Sequence, residues 1–309
     1  MIDTVVSVKL PIGEMLRIKR NRLMPDVEEK RICLVSGIYG DELGGQYICG
    51  EIIRRIKAEF ENLTGIVDVY PAVNPLGLDA RTRAVPISDI DYSSAFPGDI
   101  NGGLEDYTAA KLIEDIKGAS CCIDIHSSNI FLQEVPQVRL NNDYDETLLH
   151  LSKYMNTDLV WIHPSQTVNE GSLAFTLNQM GIPTMVTESG AAFRIRYEYC
   201  RQIIDGIFSV MAELGIWKGK VQGKTKVPFI HEDQIFYLNC ESSGLFVSYK
   251  RLKDPVKKGE IIGIVQNPLM GATEEEVVAP TDGILMTLRE HPSVTEGSLV
   301  ARVIGGNAL

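Results

Sequence analysis

The chain has 309 residues, 44% of them hydrophobic and 23% charged, an ordinary globular composition that argues against disorder, a collagen-like repeat or a coiled coil. Its 30 Lys+Arg against 41 Asp+Glu give a net charge of −11, a poor match for a phosphate backbone or an anionic membrane surface, so neither nucleic acid nor membrane is an expected partner. No apolar run reaches the roughly 18 residues of a membrane span, and Met1–Val5 lacks the features of a secretory signal. The six cysteines form no CxxC pair, so buried reduced thiols in a cytoplasmic protein are expected.

The chain opens its periodic pattern at Arg31–Gly37, a short apolar run read as a strand. Leu43–Phe60 carries Leu43, Tyr47, Ile48, Ile52, Ile56 and Phe60 at helical spacing. Gly65–Val73 reads as a strand, Leu104–Ile116 as a helix, Ser120–Ile125 as a strand and Tyr144–Met155 as a helix. Asp158–Ile162 (strand), Ser172–Met180 (helix), Pro183–Thr187 (strand) and about Tyr197–Leu214 (helix) complete the alternation. Alternation of this kind predicts an α/β fold with a mixed, mostly parallel sheet flanked by helices. The pattern changes in Lys218–Pro228, which is basic and has no apolar stripe. Beyond it come short β-type runs, chiefly Phe246–Tyr249, Ile261–Val265, Glu276–Ala279, Ile284–Leu288 and Val300–Ile304, punctuated by Pro and Gly turns. The expected organisation is therefore an α/β domain over 1–217, a linker over 218–227 and a small all-β barrel or sandwich over 228–309.

Candidate chemistry collects where strands end, which is where ligands bind in open α/β sheets. Ser36-Gly37-Ile38-Tyr39-Gly40-Asp41-Glu42 joins a strand to a helix; taken alone, Glu42 also suits a helix N-terminus. In Asp124-Ile125-His126-Ser127-Ser128, alternation puts Asp124 and His126 on one side of a strand, a placement that suits metal ligation, proton transfer or a structural hydrogen bond. A long loop carries Asn74, Arg81, Arg83, Asp91 and Tyr92. Glu188 closes the strand before Ser189-Gly190, where partial burial raises a carboxylate pKa towards that of a general base. Glu, Arg, His and Glu at successive strand ends suit hydrolysis by a metal-bound water.

With these motifs the chain resembles the succinylglutamate desuccinylase/aspartoacylase family, within the zinc carboxypeptidase clan, over roughly 31–309. SGIYGDE resembles the family's Gly-x-His-Gly-Asn/Asp-Glu segment except at the His. NPLG, RTR and DIDYSSAFPG look like its Asn-Pro, Thr-Arg and Asp-Leu-Asn-Arg-x-Phe-Pro-Gly segments, and Asp124-Ile125-His126 like its Asp-x-His strand end. The tail has a lipoyl-like pattern without a modifiable Lys at the hairpin tip, so a carrier role is rejected. The resemblance implies a zinc-carboxypeptidase-like fold, zinc held by His, Glu and His, and hydrolysis of a small N-acyl substrate. Carried onto this sequence, it implies Glu42 and His126 as metal ligands, with Tyr39 contributing or standing beside them, and a zinc site that is weakened, altered or lost. Asp41 is a further candidate ligand. Arg83 is implied to polarise the carbonyl and Glu188 to act as general base. Asn74, Arg81, Asp91 and Tyr92 fall in the substrate-binding segments, although Asp91-Tyr92 replaces an Asn-Arg carboxylate clamp for which Arg81, Arg194 or Arg196 is a candidate substitute. The competing expectation is a catalytically silent relative that binds a small ligand or a protein partner in the cleft, and a homo-oligomer is left open.

Overall fold

The computed structural model describes residues 1–26, 30–141, 145–164, 170–222 and 227–306. Strands β3 (Arg31–Ser36), β4 (Ile66–Tyr70), β5 (Cys121–Ser127) and β8 (Thr184–Gly190) form a parallel block in the order β4-β3-β5-β8. An N-terminal hairpin, β1 (Ile2–Lys9) and β2 (Met15–Leu23), adds to β4 antiparallel. On the other side β6 (Leu132–Asn141) joins β8 antiparallel and β7 (Leu159–His163) joins β6 parallel.

The two-residue period of each strand divides the core. Ile32 and Leu34 of β3 and Ile123 and Ile125 of β5 pack against α1 (Leu43–Ala58), α4 (Glu146–Ser152) and α6 (Tyr197–Glu213). Cys33, Val35 and Cys122 face the other side, towards α3 (Leu104–Ile116) and α5 (Leu173–Gln179). Helices thus cover both faces, as a buried parallel block requires. Along β5 the second face runs Cys122, Asp124, His126, so apolar core gives way to polar groups at the carboxyl end of the strand.

The sheet does not stop at the α/β part. β9 (Phe229–His231) pairs with β7, and β15 (Gly283–Arg289) pairs with β6. β12 (Pro255–Val256), β17 (Leu299–Gly305) and β10 (Ile235–Asn239) complete a 13-stranded mixed sheet. A separate antiparallel sheet orders β14 (Ala272–Val278), β13 (Ile261–Asn267), β11 (Gly244–Ser248) and β16 (Ser293–Val294). Phe246, Val265, Leu285 and Val303 form the apolar core of this C-terminal region. Part of the expected linker, residues 223–226, lies outside the described residues, as does Tyr144 at the start of one expected helix.

Among the elements that the sequence reading did not name are β1, β2 and β6. β1–β2 and β6 carry charged or amide side chains where a strand was sought by apolar content, and β6 points Glu134, Gln137 and Arg139 inwards. All six cysteines are buried and unpaired. Among the described residues no helix is long and apolar enough to cross a membrane.

Candidate active site

The turn from β3 into α1 is shaped by Gly37, at φ +67, and by Gly40, where a Cβ would lie 2.0 Å from the Gly77 carbonyl carbon. That close approach seats the turn against α2 (Pro75–Ala80). Asn74 ties the pieces together: its Oδ1 accepts from Gly77 N at 2.8 Å, its backbone N–H donates to Gly37 O at 2.7 Å, and its Nδ2 lies 3.4 Å from Arg83 O. It thus positions the Arg83 loop and does not itself line the cavity described next.

A cavity of about 340 Å³ opens at the carboxyl ends of β3, β5 and β8, lined among others by Tyr39, Glu42, Arg83, His126 and Glu188. Glu42 stands at the N-cap of α1 but makes no capping bond; its carboxylate turns inwards instead. Its Oε2 lies 3.0 Å from His126 Nδ1, and His126 Nε2 lies 3.1 Å from Asp124 Oδ1. The imidazole is therefore held between two carboxylates. Arg83 reaches Glu42 Oε1 at 3.9 Å and stacks over the Tyr39 ring, with its guanidinium carbon 3.3 Å from the ring centroid. The Tyr39 hydroxyl bonds to Ser93. Glu188, paired in register with His126 across β5 and β8, meets Arg139 Nη1 at 3.2 Å.

Burial governs the protonation of this cluster. It pushes Glu42 up to about 7 against the pull of His126 and Arg83, with the Glu188 charge adding to the rise. Glu188 is also raised by burial, opposed by Arg139 and helped by Glu134. Burial works against a charged His126, but Asp124 and Glu42 outweigh it and hold the imidazole pKa well above its ordinary value. Burial likewise raises the Tyr39 phenol, which stays protonated at neutral pH.

The remaining sequence candidates stand elsewhere. Tyr92 is buried, with its hydroxyl 2.6 Å from Thr108 Oγ1, and Asp91 is spent on the Ser93 N–H and hydroxyl at 2.9 and 2.8 Å; neither lines the cavity. Arg81 is exposed in a left-handed conformation at the end of α2. Asp41 is buried with one carboxylate oxygen unpartnered, outside the cavity lining. What the motifs missed is the far wall: Glu134 and Arg139 on β6 and Arg302 on β17. Strict alternation does not find them, because Glu134 and Arg139 are five residues apart on β6 and share a wall only through the register shift between Glu134 and Gln137.

Zinc, implied by the resemblance, does not fit this donor set. A protein zinc site usually supplies at least three ligands. Here Glu42 and His126 stand together, but the third position holds a protonated phenol committed to Ser93 beneath a guanidinium. Among the described residues, no group of three or more His, Cys, Asp or Glu is placed to hold a metal ion.

Comparison with known proteins agrees with the architecture. The Succinylglutamate desuccinylase/Aspartoacylase catalytic domain matches residues 28–214. The N-alpha-acetyl-L-2,4-diaminobutyric acid deacetylase of Halomonas elongata is 24% identical over 276 residues, spanning 87% of this chain and 80% of the relative. A succinylglutamate desuccinylase from Silicibacter sp. superposes with TM-score 0.82 at 23% identity, over 94% of this chain and 90% of the other. The product-bound ectoine utilization protein EutE of Ruegeria pomeroyi gives TM-score 0.83 at 21% identity, over 97% and 93%.

Proposed function

The chain belongs to the succinylglutamate desuccinylase/aspartoacylase family, and on that premise we propose that it is a hydrolase that removes the acyl group from a small N-acyl substrate. The observation that carries this reading is the meeting of Glu42, Arg83, His126 and Glu188, from four separate segments, on one cavity. The deacetylase activity in the name of the Halomonas elongata relative supports it.

In this reading Glu188 takes a proton from a water whose oxygen attacks the acyl carbon. Its raised pKa suits that exchange. The Arg83 guanidinium, exposed on the cavity side, faces the oxyanion as it forms. Glu188 then passes the proton to the amine nitrogen as the C–N bond breaks, so amide and water leave as carboxylic acid and amine. Arg139 fixes the orientation of Glu188. Asp124, His126 and Glu42 form the floor beneath the reacting carbonyl, with His126 hydrogen-bonded to Glu42 and its other ring nitrogen 3.1 Å from Asp124 Oδ1. No step is assigned to zinc, because its donor set is incomplete.

A second reading has its own observation. The ion pair between Glu188 and Arg139 and the Tyr39–Arg83 stack suit a cleft that binds a small ligand without turning it over. One assay separates the two. Native protein and Glu188→Gln are incubated with a panel of N-acetyl and N-succinyl amino acids and diamines, with and without added zinc, and amine release is followed. Hydrolysis that falls by about 10²- to 10⁴-fold in the variant supports the first reading. Ligand binding with no amine released from any panel member abandons it for the second.

A further inference from the structure

The C-terminal region has a sheet face that neither the cavity nor the core uses. In the β14-β13-β11-β16 sheet, Phe246, Val265 and Val277 point inwards to the apolar core. Alternation turns their neighbours outwards, and many of these are apolar too. Leu245 and Val247 lie on β11 with Tyr249 just beyond it, and Ile261 and Val278 pair in register across β13 and β14. All five are exposed, Tyr249 to 59%. An antiparallel sheet with one face in water ordinarily turns polar residues to that face.

The hairpin between β13 and β14 extends this face with a preformed apolar tip. Leu269 is 93% and Met270 70% exposed. Asn267 fixes the turn: its Oδ1 accepts from Leu269 N at 3.0 Å and from Met270 N at 3.2 Å. Its carbonyl accepts from Gly271 N at 2.8 Å, with Gly271 at φ +65. A tip already held in shape gives up little further freedom on docking. Face and tip together expose roughly 600–800 Å² of side chain, at or above the largest apolar patch of an ordinary monomer and close to the ~800 Å² that each partner gives to a standard interface.

We propose that a second copy of the chain docks on this face, sheet against sheet about a two-fold axis, with each hairpin tip resting on the Ile261–Val278 end of its partner. One surface carries both halves of such a contact, a flat apolar face and an apolar tip beyond its end. The tip lies past the Leu245–Gln266 pair, and the Ile261–Val278 pair lies at the opposite end of the sheet. A two-fold axis crossing the strands between them sets each tip on the other copy's face, so the same contact is made twice. Edge-to-edge addition is disfavoured, because Glu274, Glu275 and Glu276 occupy the outermost strand, β14. Glu274 and Glu276 then stand at the margin of the contact, where a second copy brings like charges together. An apolar contact with such a margin tightens as salt screens the carboxylates.

The test is sedimentation velocity of the full chain from about 1 to 500 μM, a span that reaches transient interfaces of this size, in low and in high salt. A monomer–dimer equilibrium that tightens severalfold with salt is expected. Val247→Glu places an unpaired charge in the face, and Met270→Glu places one at the exposed tip; each is expected to weaken the dimer at least about tenfold. Val247→Ile is expected to leave it intact. Circular dichroism and the melting temperature check that each variant is folded. A chain that stays monomeric at every concentration overturns the proposal. So does a dimer undiminished in both folded glutamate variants, because the copies then meet elsewhere. A dimer that weakens with salt also overturns it, because charge then holds the copies together.

Discussion

Two buried charge clusters lie on the same face of the sheet, and they treat their carboxylates differently. In the first, Asp68 on β4 is fully enclosed and receives Arg22 through Nε and Nη2 at 2.7 and 2.6 Å, with Arg31 Nη1 at 3.2 Å. Arg20 forks onto Asp115 at 2.9 Å through both oxygens and reaches Asp3 at 2.9 Å. Arg31 goes on to cap the carbonyls of Asp115, Ile116 and Lys117 at the end of α3. In the second, at the strand ends, Glu42 meets an imidazole and a guanidinium 3.9 Å away, and burial pushes it up to about 7. A buried carboxylate surrounded by guanidinium forks joins elements together. One that is desolvated and only loosely matched is poised to exchange a proton, which is why perturbed groups collect at reactive sites.

The first way to sharpen this contrast is Asp68→Asn. Removing the shared carboxylate leaves Arg20, Arg22 and Arg31 facing one another with Asp115 and Asp3 as the remaining counter-charges. A loss of about 3–5 kcal/mol in urea unfolding is expected, the usual cost of breaking a buried pair from one side. Activity per folded molecule should be unchanged, since Asp68 does not line the cavity. A loss below about 1 kcal/mol, the range of a surface pair, would place this network on the surface in energetic terms and erase the contrast.

Tyr39→His addresses the other cluster. Glu42 Oε2 and His126 Nδ1 already stand side by side at 3.0 Å, and a neutral imidazole in place of the phenol supplies the missing third donor. Native protein is expected to bind zinc weakly in titration, and the variant at least about tenfold more tightly, because imidazole is a far better zinc ligand than a protonated phenol. A variant that binds less zinc than native protein would mean that Tyr39 does not occupy the ligand position.

How much of this was legible in the sequence depended on where polar residues fell. Asp124 and His126 were readable as one face because an apolar strand leads up to them, and Glu188 closes an equally clear run. Glu134, Arg139 and Arg302 were not, because β6 is polar on the face it buries and Arg302 comes from a different part of the chain, brought in by the pairing of β15 with β6 and β17. Asp91 and Tyr92 were read from motif position alone. The turn around them commits Asp91 to the Ser93 N–H and packs Tyr92 against Thr108. An Asp that accepts from the backbone N–H two residues on is a local turn signal, and weighing it against the motif would have pointed Asp91 away from the cavity.

The smallest expected effect concerns His163, at the edge of the arginine wall. Its pKa falls from 6.5 to about 3, through burial first and then through Arg139 and Arg302. Between those values the unfolded chain takes up a proton that the folded protein refuses, so stability falls as pH falls across that window. The slope reaches at most about 1.4 kcal/mol per pH unit. His163→Gln keeps a polar planar group but cannot titrate. Denaturant unfolding of both proteins at pH 7, 6 and 5 should therefore show the native protein losing more stability than the variant with each step. Carboxylates elsewhere add an acid-sensitive background common to both, so the difference between the curves isolates the imidazole. Parallel curves would mean that His163 is not held neutral in the folded protein.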